Sequence, residues 1–225
     1  MKKLLLFFFL FIILFSGIII AYFLNTNSIN KRKEQINVIN PIDLPSEMVD
    51  PSLINIGVGH KINPFKFTNQ YNKTIGLDDV KGSVFVAEYF FTTCPTICPI
   101  MNKQMQRVQK HFINNNQFKI LSFTVHPEVD TVEQLLRYAK KHSAVKNQWH
   151  FLTGSKRKLY ESARKSFFLL KPAEVKNQGD VGSDFIHTNN FVLIDKFLQI
   201  RGYYDGTNPE EIDRLIRDTE NLITE

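Results

Sequence analysis

Cys94 and Cys98 carry the most reactive side chains of the 225-residue sequence. If a helix begins between them, both thiols can face one side, because residues four apart share a helical face. Backbone amides and the helix dipole at such a helix start lower the pKa of thiols. A pair of thiolates can form a reversible disulfide or bind a soft ion such as Cu(I). Two inert packed cysteines, or one static disulfide, remain the alternative that the residues alone leave open.

The cysteine pair lies between a predicted buried strand and a predicted helix. The strand, residues 84–91 (VFVAEYFF), is a nearly continuous apolar run, which is typical of a strand covered on both faces. The helix has apolar residues at every third or fourth position, namely Ile97, Met101, Met105, Val108 and Phe112. The thiols are therefore expected at the exposed end of the sheet.

Strands and helices alternate along the rest of the chain. Strands are predicted over 118–125 and 149–152, and hairpins over 65–77 and 191–203, the second one turning at Asp195-Lys196. Helices are predicted after the capping-box pattern Asp130-Thr131-x-x-Gln134, over 155–168, and from Asn208-Pro209 to about residue 222. This order predicts one α/β domain with a mixed sheet flanked by helices.

A copper site would favour a third ligand beside the two thiols, and the sequence offers six histidines. Four of them lie in loops or at helix ends among polar neighbours, where a solvated or helix-capping role is expected: His60, His111, His142 and His150. His187 differs because it lies in a loop just before the predicted strand 191–195. That loop could bring the imidazole over the cysteine pair, so His187 is a candidate third ligand.

The composition limits the classes of function. With 43% hydrophobic and 22% charged residues the chain is globular, and its 20 Phe and 7 Tyr exclude disorder as the main state. Two cysteines exclude a disulfide-dense scaffold and any four-cysteine zinc or iron–sulfur site. The net charge is +6, but no long basic run interleaved with aromatic residues occurs. Nucleic-acid binding is therefore not expected.

The N-terminal residues 1–24 are predicted to form an uncleaved membrane anchor. Leu4 to Leu24 carry no charge, and as a helix they would span roughly 32 Å, enough for the bilayer core. A cleaved signal peptide has a shorter apolar region ending in small residues, which this sequence lacks. Residues 25–54 are predicted to be a tether, and 55–225 the folded domain. Positive charges on both sides of the apolar run leave the orientation open.

Several motifs together resemble the Sco/SenC family. They are the run FFTTCPTICPIMNKQMQRVQK, the single His187 before FVLID, and the ending GYYDGTNPEEIDRLI. The resemblance implies a thioredoxin-like fold, a bound copper ion, as Cu(I) or Cu(II), and the ligands Cys94, Cys98 and His187. One residue departs from the pattern, since His126 stands where many members have Asp; there it could alter hydrogen bonding around the site or act as a transient ligand.

The resemblance implies a membrane-anchored copper chaperone that binds one copper ion and assists assembly of the CuA centre of cytochrome c oxidase. Its expected partner is the CuA-bearing subunit, with another periplasmic copper chaperone or a thiol reductase as further candidates. It would be a single-pass protein of the cytoplasmic (inner) membrane with the domain facing the periplasm, where disulfides persist. The alternatives are a thiol–disulfide oxidoreductase, which would be an enzyme using only Cys94 and Cys98 to reduce that subunit's cysteines, and a copper or redox sensor.

Overall fold

The computed structural model of the protein describes residues 8–9, 11–22, 36–169 and 188–225. Seven strands form one sheet among these residues: β1 Lys66–Asn69, β2 Thr74–Gly76, β3 Val84–Phe90, β4 Phe118–Thr124, β5 Trp149–Thr153, β6 Asn190–Ile194 and β7 Ile200–Asp205. Four α-helices accompany the sheet: α1 Ile97–His111, α2 Val132–Lys141, α3 Lys156–Lys165 and α4 Pro209–Thr224. Short 3-10 turns occupy Pro41–Asp43, Ser46–Met48, Pro51–Ile56 and Leu77–Asp79.

The sheet is mixed, in the order β2-β1-β5-β4-β3-β6-β7. Strands β3, β4 and β5 run parallel, while β6 pairs with β3 in the antiparallel direction and β1 pairs with β5 likewise. The carboxyl ends of β3 and β4 therefore lie side by side at one edge, which is where the chain between β3 and α1 emerges. This arrangement confirms the predicted α/β domain with a mixed sheet.

Helices cover both faces of the sheet. One face packs against α1, α2 and α4, through residues such as Met105, Leu135 and Leu215. The opposite face packs against α3, through residues such as Leu159. Every residue of β3 is buried, because the strand lies between two apolar layers, as its continuous apolar run predicts.

The predicted elements differ from the observed ones mainly at their ends. Helix α3 stops at Lys165, short of the predicted residue 168. The predicted hairpin 191–203 exists, but its second strand begins at Ile200 because a five-residue turn replaces the tight one. In that turn Asp195 Oδ1 accepts hydrogen bonds from the backbone N–H groups of Phe197 and Gln199, both at 2.9 Å.

The segment before β1 belongs to the same compact unit, which spans Ile36–Glu225. The N–H of Ile39 donates to the carbonyl oxygen of Ile200 at 2.8 Å, and the Arg201 guanidinium donates to the carbonyl oxygen of Ile36. Val49 is 3% exposed and packs in the α3-side core. Residues 36–54 are predicted from the sequence to be part of the tether. They pack on the sheet instead, because several of their scattered apolar side chains are buried against it.

The described part of the N-terminal segment, residues 8–9 and 11–22, is helical. None of the helices in the described residues combines the length and apolar character needed to cross a bilayer. Residues 1–7, 10 and 23–35 lie outside the described residues, so the predicted anchor 1–24 and the first part of the predicted tether are described only in part.

Candidate metal centre

The two cysteines lie where β3 passes into α1. Cys94 is in the connection, and its N–H donates to the carbonyl oxygen of Phe91 at 3.2 Å. Cys98 is in the first turn of α1, whose N-cap position is Thr96. The predicted placement of both thiols at the end of a central strand and the start of a helix is confirmed.

Both cysteines are free thiols, and both are nearly covered by the protein. Cys94 is 8% exposed and Cys98 is 3% exposed. They pack in the same apolar cluster as Phe90 and Met101, while Cys94 Sγ lies 3.9 Å from the Thr96 hydroxyl. The result is a pair of soft sulfur donors held in a mostly dry environment, which suits a soft ion or a disulfide.

The two thiols differ in acidity. Burial opposes ionisation of Cys94, but hydrogen bonds from the backbone and side chain of Cys98 and from Thr96 outweigh it, so the pKa of Cys94 is lowered. The pKa of Cys98 is raised to about 12, chiefly by burial and also by the Cys94 hydrogen bond and the charges of Cys94 and Glu88, against a hydrogen bond from the Phe91 backbone. The prediction that the helix start lowers both pKa values is correct for Cys94 and wrong for Cys98, because Cys98 is more deeply buried. Cys94 is therefore the more acidic thiol of the pair.

A buried carboxyl group in β3, Glu88, faces the layer that holds the cysteines. Glu88 is 1% exposed, and Ser122 Oγ donates to its Oε1 at 2.5 Å. Trp149 Nε1 in turn donates to Ser122 Oγ at 2.8 Å, so the contact chain crosses β3, β4 and β5. Burial raises the pKa of Glu88 to about 7, although the Ser122 hydrogen bond favours the charged form. Sequence reasoning missed Glu88, although a single charge inside the apolar run VFVAEYFF was the available signal.

The first turn of α1 is fixed by a side-chain contact with α2. Asn102 Nδ2 donates to the carbonyl oxygen of Cys98 at 2.7 Å and to the Tyr138 hydroxyl at 2.6 Å. The Tyr138 ring stacks on Phe90, with 5.4 Å between ring centroids. The backbone that carries Cys98 is therefore held between β3 and α2.

The connection that carries Cys94 is held from the other side by Asp130. Asp130 is fully buried, and its carboxylate accepts hydrogen bonds from the N–H and hydroxyl of Thr92 and from the hydroxyl of Thr124. The cap of α2 is Thr131, whose Oγ accepts from the N–H of Gln134 at 3.3 Å. Sequence reasoning assigned Asp130 to the capping pattern and so missed this role.

The predicted third ligand, His187, lies outside the described residues, so its place in the site stays a prediction. His126 follows β4, and its N–H donates to the Thr124 hydroxyl at 2.9 Å. Within residues 36–169 and 188–225, no group of three or more His, Cys, Asp and Glu side chains is arranged to hold a metal ion. The described residues thus provide Cys94 and Cys98 as two candidate sulfur donors.

The other histidines divide into two kinds. His142 forms the C-cap of α2, and His111 ends α1 beside Glu220, with 2.7 Å between Nε2 and Oε1, so the predicted helix-end roles of these two are confirmed. His60 and His150 are buried instead. His60 Nε2 contacts the Ser166 carbonyl oxygen at 3.0 Å, and His150 Nδ1 contacts Asn69 Nδ2 at 3.2 Å. The solvated or helix-capping role predicted for His60 and His150 is therefore wrong, because both rings are buried and hydrogen-bonded within the fold.

Comparison with known proteins decides the family. The sequence profile of the SCO1/SenC family matches residues 56–224. The chain belongs to the SCO1/SenC family. A SCO1 protein homolog of Bacillus subtilis is 34% identical over 169 residues, which is 74% of this chain and 85% of that protein.

Solved structures of the Sco family share the fold. BsSco, described as a Sco-family cytochrome c oxidase assembly protein with a disulfide switch, is 34% identical and has a TM-score of 0.60, covering 74% of this chain and 95% of that one. ScoI of Bradyrhizobium japonicum, solved with copper bound, has a TM-score of 0.55 at 20% identity, covering 73% of this chain and 99% of that one. The thioredoxin-like α/β fold expected from the sequence is therefore confirmed.

Proposed function

We propose that this Sco protein is a copper chaperone that binds one copper ion through Cys94, Cys98 and His187 and assists assembly of the CuA centre of cytochrome c oxidase. The observation that carries the proposal is the buried pair of free thiols at the β3–α1 junction. Two further facts support it: BsSco is described as a member of a family of oxidase assembly proteins, and ScoI is solved with copper bound.

The chemistry of the donors fits copper as a cargo. Two thiolates and a neutral imidazole suit Cu(I) and tolerate Cu(II), since both ions accept sulfur and nitrogen ligands. Three ligands leave room for an incoming cysteine of the acceptor, so the ion can pass by ligand exchange without being released into solution. The low exposure of Cys94 and Cys98 limits the contact of the ion with water.

The proposed acceptor implies a location. The apolar residues 4–24 would anchor the chain in the cytoplasmic membrane, and the domain would face the periplasm, where a CuA-bearing subunit exposes its copper site. The CuA-bearing subunit is then the proposed partner, with a second periplasmic copper chaperone or a thiol reductase as supplier of copper or electrons.

A second function, reduction of the acceptor's cysteines, is favoured by the unequal acidity of the two thiols. The Cys94 thiolate would attack the acceptor's disulfide, forming a mixed disulfide and releasing one acceptor thiolate, which takes up a proton. Cys98 would then lose its proton and attack the Cys94 sulfur, which releases the second acceptor thiol. The acceptor gains two electrons, the Cys94–Cys98 pair loses two, and a thiol reductase must reduce the pair again.

Copper retention by the full-length chain tests the first function. The reduced chain in detergent micelles is loaded with Cu(I), passed over a desalting column and analysed for metal. We expect one copper per chain, and loss of copper in Cys94→Ala, Cys98→Ala and His187→Ala. His126→Ala is the matched control and should keep its copper. Stoichiometric copper in a Cys94→Ala/Cys98→Ala double variant contradicts the proposal.

The His187→Ala variant also separates the two functions. Disulfide exchange needs only the two thiols, so this variant should still reduce a disulfide-bonded model peptide at nearly the wild-type rate while failing to retain copper. If His187→Ala retains copper like the wild type, then His187 is not a ligand, and the dithiol function becomes the better description.

A further inference from the structure

Asp130 joins three separate parts of the fold through hydrogen bonds of one buried carboxylate. Its two oxygens accept from the N–H of Thr92 at 3.3 and 3.2 Å, and Oδ1 accepts from the Thr92 hydroxyl at 2.5 Å. Oδ2 accepts from the hydroxyl of Thr124, the last residue of β4. Asp130 itself lies directly before the N-cap of α2. A buried carboxylate with this many donors holds its neighbours rigidly, because each donor lost leaves charge without compensation.

The hydrogen bonds between Thr92 and Asp130 lie close to the cysteine pair in the sequence. Thr92 is two residues before Cys94, in the connection that leaves β3. Its hydroxyl donates to Asp130 and accepts from Gln134 Nε2 at 3.0 Å, so both its hydrogen-bonding directions are fixed. The chain that carries Cys94 is thereby attached to α2 at a point close to the thiol.

A second set of hydrogen bonds joins Asp130 to the turn between β4 and α2. The Thr124 hydroxyl donates to Asp130 and accepts from the N–H of His126 at 2.9 Å. The turn is closed by the N–H of Asp130, which donates to the carbonyl oxygen of His126 at 2.9 Å. These hydrogen bonds fix the connection between β4 and α2 and include none to Cys94 or Cys98, so Thr124 offers a control of equal chemistry.

We infer that Asp130 is a positioning residue for the cysteine pair, acting through Thr92 to fix where the Cys94 sulfur stands relative to Cys98. The inference deepens the proposed function where copper is concerned, but it applies equally to a redox pair. A disulfide, or a metal ion bound by two thiolates, is more stable when the two sulfur atoms are held close together. A mobile sulfur atom has a lower effective concentration near its partner. Loosening the Thr92 attachment should therefore weaken both the disulfide and the two-thiolate site.

The test measures the thiol–disulfide equilibrium of the metal-free full-length chain against dithiothreitol. In this exchange oxidised dithiothreitol takes two electrons and two protons from the dithiol, and one S–S bond forms between Cys94 and Cys98. We expect Thr92→Val to make that disulfide about tenfold less favoured, which for a two-electron couple is a midpoint potential about 30 mV more positive. Thr92→Ser, which keeps the hydroxyl, should stay near the wild-type potential.

Thr124→Val is the matched control, because it also removes a hydroxyl that donates a hydrogen bond to the Asp130 carboxylate, and Thr124 is more deeply buried than Thr92. It should lower the thermal midpoint of unfolding without moving the potential of the cysteine pair. Asp130→Asn should shift the potential in the same direction as Thr92→Val, and the two substitutions combined should add little further. Should Asp130→Asn fail to fold, the comparison of Val and Ser at position 92 decides the matter alone.

Equal potentials in wild type and Thr92→Val, or equal shifts in Thr92→Val and Thr124→Val, overturn the inference. Copper retention is measured in parallel on the same variants. If the wild-type chain holds no copper but the potentials separate as expected, the copper function fails and the positioning role stands. If copper is held and the potentials do not separate, the positioning role alone fails.

Discussion

Ser122 Oγ donates a hydrogen bond to Glu88 Oε1 at 2.5 Å in the centre of the sheet, where both residues are almost completely buried. This bond links β3 to β4 on the face that carries the cysteines. Burial raises the pKa of Glu88 from its ordinary 4.5 to about 7, so the folded protein keeps this carboxyl protonated in mildly acidic solution.

The raised pKa of Glu88 makes stability depend on pH. Between pH 4.5 and about 7 the folded state binds more protons than the unfolded state, so the free energy of unfolding falls as pH rises through this window. The shift corresponds to about 3 kcal/mol. Relative to the wild type, Glu88→Gln should therefore gain stability as pH rises from 4.5 to about 7, which urea unfolding of both proteins at pH 4.5, 6 and 8 can measure. Parallel pH profiles for the wild type and this variant contradict the assignment.

His150 should produce the opposite slope. Burial and the charge of Lys119 lower the pKa of His150 to about 4, against smaller effects of the Asn147 backbone and Asp79. Its Nδ1 faces Asn69 Nδ2 at 3.2 Å, so protonation would place two donors against each other. The folded state binds fewer protons than the unfolded state between pH 4 and 6.5, and stability is lost as pH falls.

Relative to the wild type, the variant His150→Gln should become more stable as pH falls from 6.5 to 4, because the wild type alone loses the His150 contribution in this range. His111→Gln is the matched control, because His111 is exposed at the end of α1. Urea unfolding across this pH range measures both variants. If the stability of His111→Gln relative to the wild type changes with pH as much as that of His150→Gln does, the acid sensitivity does not come from the buried ring.

The placement of Cys94 and Cys98 could be predicted because it follows from periodicity alone. The almost entirely apolar seven-residue strand is followed by a short segment without periodicity and then by a helical repeat. This pattern places the cysteines between the end of the strand and the first turn of the helix. The acidity of Cys98 could not be predicted in the same way. The pKa of Cys98 depends on its burial by residues that are distant in the sequence, and a local sequence pattern does not reveal this burial.

Neither the role of Asp130 nor the turn at Asp195 could be predicted from local sequence patterns. Asp130 and Thr131 are both good caps, and only the fold decides that Thr131 caps α2 while Asp130 faces inward. In the β6–β7 turn, Leu198 takes φ 69°, a conformation unusual for leucine that the Asp195 hydrogen bonds stabilise. These hydrogen bonds depend on the folded structure and produce no periodic pattern in the sequence. The position of His187 stays a prediction from the family resemblance.

The packing of residues 36–54 on the sheet can be tested with two apolar residues of that stretch. Val49 is 3% exposed, whereas Ile54 is 55% exposed. Val49→Ala should lower the free energy of unfolding by about 2 kcal/mol, because it removes buried methyl groups and leaves a cavity. Ile54→Ala should change stability by less than about 0.5 kcal/mol. Equal, negligible effects in chemical unfolding would show that this stretch is a free tether.

Alkylation of the metal-free, reduced chain can test the difference between the two thiols. The lowered pKa of Cys94 means that iodoacetamide should modify it at neutral pH faster than an ordinary thiol, since the thiolate is the reacting form. Cys98, with its pKa raised to about 12 and its side chain buried, should stay unmodified on the same timescale. Peptide mass spectrometry after timed quenching assigns the label. Cys98→Ser should still be labelled at Cys94, whereas Cys94→Ser should react slowly or not at all. Preferential labelling of Cys98 would reverse the assigned roles and make Cys98 the attacking thiol.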